Sequence, residues 1–132
     1  MSAARYDFSI EQGSSFTLTI VYKDANEEVV DLTDWCARML LKANDGTLYD
    51  YPSEGADNSI YSFDIDGPNG KLTFLLSADT SNTYDFTTAK YDLELTSPND
   101  FYLSGGKLTT RILYGDITII KRYSQTNNNL VC

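Results

Sequence analysis

The side chains in this chain with chemical potential are carboxylates, tyrosines and two thiols; among its 132 residues there is no histidine. That removes the usual general base and the commonest transition-metal ligand, so Ser-His-Asp, Cys-His and zinc-hydrolase schemes have nothing to build on. Asp92 and Glu94 alternate onto one strand face, as a pair of glycosidase carboxylates would. Without insertions to form a cleft, they read as a solvated strand face. Asp64-Ile65-Asp66-Gly67-Pro68-Asn69-Gly70 has the look of a calcium loop, but an EF-hand needs Gly at its sixth position and Glu at its twelfth. Asn69 and Leu75 stand there, and Pro68 holds the fifth, so a β-turn is expected. Gly105-Gly106 is a lone turn signal and not a phosphate loop. No metal or cofactor is expected.

Cys36 falls inside a predicted strand and Cys132 is the last residue. Two such distant cysteines make neither a zinc site nor a disulfide framework, and they read as reduced thiols. Tyr49, Tyr51 and Tyr61 cluster beside the acidic loop 52–58 and permit a carbohydrate-stacking platform. The competing reading is cross-strand packing of tyrosine on a half-exposed sheet.

The elements that would position these groups are short strands. Ten tyrosines and one tryptophan within 42% apolar residues indicate a β-rich domain large enough for one sheet-on-sheet core. The net charge is −9, with eleven acids against four bases in residues 1–60. That sign opposes nucleic-acid binding. No apolar run approaches a membrane span, and Met1-Ser2-Ala3-Ala4-Arg5 lacks a signal peptide's apolar core. Synthesis in a reducing bacterial cytoplasm is expected, with no membrane partner.

Strands are predicted at 6–10 (Tyr6, Phe8 and Ile10 sharing a face), 15–23, 35–42, 48–51, 59–65, 71–76, 90–95 and 108–122. Phe16, Leu18, Ile20 and Tyr22 alternate inward; so do Trp35, Ala37, Met39 and Leu41. Residues 71–76 are nearly all apolar and read as a central strand covered on both sides. The polar corner 77–88, with one helical turn capped by Ser77 or Asp79, is where the chain crosses between sheets. A bulge is expected at Gly115-Asp116. The whole chain, 1–132, is read as one all-β domain with its core at about 6–122: an immunoglobulin-like β-sandwich of seven to eight mainly antiparallel strands. Trp35 would be the buried tryptophan of the third major strand, and Tyr91, two residues before Leu93, the tyrosine of the sheet-crossing corner.

Five segments together resemble a bacteriophage family. Gln12-Gly13-Ser14-Ser15-Phe16-Thr17-Leu18-Thr19-Ile20 and Asp31-Leu32-Thr33-Asp34-Trp35-Cys36-Ala37-Arg38-Met39 are similar to its opening blocks, Q-G-x-x-F-x-L-x-I and D-L-T-G-Y-x-A-R-M. Leu76-Ser77-Ala78 with Thr80, Tyr91-Asp92-Leu93-Glu94-Leu95, and Thr110-Arg111-Ile112-Leu113-Tyr114-Gly115 resemble later blocks in the same order. Asp34-Trp35 stands where Gly-Tyr is usual, and the ending differs at Ile120-Lys121-Arg122-Tyr123. The family is similar to the immunoglobulin-like N-terminal domain of siphophage baseplate upper proteins. The resemblance implies a non-enzymatic virion protein, a tail or baseplate adaptor docking a fibre or receptor-binding component onto other virion proteins in a symmetric multi-copy assembly. A capsid decoration or head–tail joining role is the second reading, and a small carbohydrate or cell-surface binding module the third. The expected interface residues are Tyr6 and Phe8 on the first strand, Phe101 and Tyr102 in the late hairpin, and Tyr123, Leu130 and Val131 on the tail. Segments 1–5 and 123–132 are expected to be contact arms.

Overall fold

The computed structural model describes residues 3–53, 61–98 and 105–122, with Tyr61 and Ser62 described by their backbone alone. Its strands are β1 (Ala4–Arg5), β2 (Phe8–Glu11), β3 (Phe16–Val21), β4 (Cys36–Ala43), β5 (Leu48–Pro52), β6 (Tyr61–Asp66), β7 (Lys71–Leu76), β8 (Thr88–Thr96) and β9 (Thr109–Ile120). A short helix, α1 (Ala78–Asn82), joins β7 to β8. The large sheet runs β1-β9-β8-β4-β5, with β2 also on β9; the small sheet runs β3-β7-β6. This is the strand order of an immunoglobulin-like sandwich in which the N-terminal strand lies beside the last one.

Alternation in the sequence decides which side of each strand faces the interior. On β8, Ala89, Tyr91, Leu93 and Leu95 are buried, and on β4 Ala37, Met39, Leu41 and Ala43 are. Met39 lies opposite Leu93 in register, and both are fully buried. Each such side chain contributes about 1.5–3 kcal/mol through removal from water. Leu18, Leu72, Phe74 and Leu76 belong to the same core from the small sheet.

The corner between the sheets is a capped helical turn. Ser77 Oγ accepts from the Thr80 amide at 3.2 Å, which satisfies one of the helix's unpaired donors. The buried Ser81 hydroxyl donates to the Ser14 carbonyl at 2.8 Å and accepts from the Gly13 amide at 3.0 Å. The corner is thereby tied to the β2–β3 turn.

Several expectations need correcting. The first strand is two pieces, β1 and β2, and both pair with β9 in parallel. The break lies at Tyr6-Asp7, beside Gly115, where a Cβ would run into the Tyr6 carbonyl and Asp7 Oδ1. Gly115 itself pairs regularly with Tyr91; the register shift in β8–β9 falls at Leu93/Glu94 instead. A side chain at residue 115 would force the N-terminal strand off, so the glycine serves close approach rather than a bulge of its own strand.

The β7 strand is central, but Leu75 on its outer side is 40% exposed, so only one face is covered. Trp35 precedes β4 and is half-buried at the margin of the core, while Met39 holds the middle of the strand. Tyr91 is buried, yet its hydroxyl donates to the carbonyl of Tyr6, not to backbone a few residues upstream as a corner tyrosine would. Asp34 has φ +67, a left-handed conformation that glycine adopts at least cost.

Candidate interaction face

Three rows of side chains cross the outer surface of the large sheet, fixed by its register. The first runs Pro52, Arg38, Glu94, Arg111; the second Asp50, Leu40, Asp92, Tyr114, Arg5; the third Leu48, Lys42, Lys90, Asp116. Outward residues alternate with the core residues of the same strands, so the pleat that buries Met39 presents Arg38 and Leu40. Leu48 is 73% exposed, and Leu40 and Tyr114 are half-buried beside the charges.

Most charges on this face are paired. Arg38 Nε meets Asp50 Oδ1 at 3.0 Å, and Arg111 Nη1 meets Asp92 Oδ1 at 3.0 Å. The Arg111 guanidinium also lies over the Tyr114 ring, 4.8 Å from its centre. Asp116 receives both Lys90 Nζ at 3.1 Å and Arg5 Nη2 at 2.8 Å. These pairs are open to water and contribute little stability individually; their effect is to hold long side chains in fixed places. Lys42 has no ion-pair partner among the described residues. Arg5, Arg38, Lys42, Lys90 and Arg111 are half of the chain's ten bases, whereas Asp50, Asp92, Glu94 and Asp116 are four of its nineteen acids. On an acidic protein, this face stands out as a nearly neutral patch with apolar centres.

The N-terminal strand forms one border of the face and is latched by polar groups. Asp7 Oδ1 accepts from the Asp116 amide at 2.9 Å, and that bond, with Arg5 next to it, holds the Asp7 carboxyl below the ordinary range. The hydrogen bond from Arg5 to Asp7 raises the guanidinium correspondingly. Beneath the strand, burial pushes the Tyr91 hydroxyl well above the usual tyrosine range, and Asp7 adds to the effect.

Of the expected interface residues, Tyr6 and Phe8 are placed on this border. Tyr6 is 48% exposed, and its ring lies 5.9 Å from that of Phe8. Phe8, however, stacks on Phe16 at 4.7 Å and packs against the core. Tyr6 is therefore available for contact, while most of Phe8 is spent internally. Phe101, Tyr102, Tyr123, Leu130 and Val131 lie outside the described residues, as do residues 1–2 and 123–132 of the expected arms, while Ala4 and Arg5 of the first arm form β1 against β9.

Two of the three tyrosines considered for sugar stacking, Tyr49 and Tyr51, do not present a platform. Tyr49 and Tyr51 share the inner side of β5, and Tyr51 is buried with its hydroxyl 2.7 Å from that of Tyr84. Tyr49 packs on Tyr84 and Phe86 at 5.3 and 5.7 Å. Burial raises the Tyr84 hydroxyl far above the ordinary range, with Tyr51 reinforcing it. The side chain of Tyr61 lies outside the described residues. Asp92 and Glu94 do share one face, but Asp92 is engaged by Arg111. Asp66 accepts from Asn69 Nδ2 at 2.8 Å inside the β6–β7 turn.

Sequence reasoning missed this outer face because Leu40, Leu48 and Tyr114 are far apart in the chain. The usable signal was the outward set on strand 35–42: Arg38, Leu40 and Lys42 break the polar alternation with a leucine. No protein-family model matches the chain, and no curated protein matches it in sequence.

Proposed function

We propose that this protein is a non-enzymatic structural component of a bacteriophage tail or baseplate, an adaptor that docks a fibre or receptor-binding component. The observation that carries the proposal is the outer face of the large sheet, where exposed Leu48, with Leu40 and Tyr114, lies among anchored charges. Apolar centres ringed by polar groups are the usual anatomy of a docking surface. The five resembling segments supply the viral context, and the agreement in order and spacing extends over about residues 6–122. A capsid decoration or head–tail joining role would use the same face. The carbohydrate reading is less favoured, since Tyr49 and Tyr51 turn inward.

The test is to locate the protein in purified particles by antibody labelling and density mapping, comparing wild type with Leu48→Asp. Labelling at the tail tip, lost in the variant while the isolated protein keeps its melting temperature, is the expected result. Absence from particles would overturn the viral reading, and labelling at the head would replace the adaptor role with decoration.

A further inference from the structure

We infer that the outer face of the large sheet accepts the acidic loop end of a second copy of this chain, so that copies join head to tail. Lys42 and Lys90 sit directly opposite each other on β4 and β8. Like charges so placed repel. Asp116 relieves Lys90 at 3.1 Å, and no acid among the described residues pairs with Lys42. Leu48 lies opposite Lys42 on its other side, and Leu40 is two residues back along the same strand. The spot therefore suits a carboxylate flanked by an apolar side chain.

The opposite end of the sandwich offers that combination. There the 22–34 segment meets the β6–β7 turn, through Leu32 N to Gly67 O and Tyr22 N to Gly70 O, both 2.8 Å. Residues 23–34 hold five acids and one base, and Val21 and Val29 nearby are each 46% exposed. The side chains of Glu27 and Glu28 make no hydrogen bond or ion pair among the described residues. β4 starts beside this end at Cys36 and reaches Lys42 about 20 Å further on, at ~3.3 Å per residue. The two surfaces differ and lie apart, so a contact between them is heterologous and propagates as a ring or an open chain instead of closing as a two-fold dimer. The contact holds whatever particle the protein serves.

Sedimentation velocity over a range of concentrations tests this with two variants, Lys42→Glu and the double change Glu27→Gln with Glu28→Gln. Wild type is expected to grow beyond dimer mass at low salt and to dissociate in about 1 M salt, where screening length falls to ~3 Å. Each variant alone should stay at one-copy mass, having lost one of the two surfaces. Mixed, they should form a species of two copies and no more, because the intact face of one fits the intact loop end of the other. Circular dichroism and melting temperature, unchanged in both, separate lost contact from lost fold. A wild type that stays monomeric, one that stops at a dimer, or association indifferent to Lys42→Glu would each overturn the inference.

Discussion

The hydroxyl of Tyr91 donates to the backbone carbonyl of Tyr6 across 2.5 Å, joining β8 to the join between β1 and β2. Two parts of the chain 85 residues apart are held by a bond whose donor comes from the core. Tyr91→Phe should therefore cost about 1.5 kcal/mol, since it leaves that carbonyl without its donor. Hydrogen exchange would show faster opening at residues 4–10 than elsewhere. Uniform loss of protection across both sheets would mean the latch is not local.

Gly115 tolerates no side chain. Gly115→Ala is expected to destabilise by about 3 kcal/mol, since the new Cβ collides with the Tyr6 backbone carbonyl, which cannot swing aside, as well as with Asp7 Oδ1. Gly46→Ala is the control: φ is +93 but the surroundings are open, so only the left-handed penalty of about 1–2 kcal/mol applies. Urea unfolding of the two variants measures the difference, and equal costs would remove steric contact as the cause.

Alkali should weaken the fold before it alters the backbone chemistry. Tyr84 is held neutral by burial, so its folded pKa lies above the unfolded value of 10.0. Its contribution is complete below pH 10 and is lost as pH rises from there toward the folded value. The expected slope is about 1.4 kcal/mol per pH unit from this group. Denaturant midpoints from pH 9 to 11.5 would show it, and Tyr84→Phe should flatten the slope. An unchanged slope in that variant would assign the effect elsewhere.

Asp34→Gly should raise stability by up to about 1 kcal/mol, because φ +67 suits glycine better than any residue with a side chain. Asp34→Val should lower it. Thermal melts of both variants check the pair, and a destabilising glycine would indicate that the Asp34 carboxylate has an undetected structural part.

The small sheet and the crossover could be read from residue order because strict alternation leaves one choice of inward face. Phe16, Leu18 and Ile20 on β3 and the Ser77 cap are of this kind. Trp35 misleads because its place in the strand order matches the buried tryptophan of such sandwiches, whereas the centre of β4 falls four residues later at Met39. The parallel seating of β1 and β2 was hidden for a different reason: alternation reports which face is buried but not the direction of a neighbour. Tyr49 and Tyr51 appeared as a possible surface because their inward orientation depends on Tyr84 and Phe86, which are distant in sequence. The candidate face was invisible in the same way, since its rows exist only once four strands are set side by side.

The seat of β1 and β2 is β9, about a hundred residues further along the chain, so these two strands must wait for β9 before they find their place. During synthesis a polypeptide stretch with an exposed Tyr6 and Phe8 is left dangling until β9 has been made. Closure of this sandwich thus waits on β9, and any truncation before residue 113 leaves β1 with no strand to join.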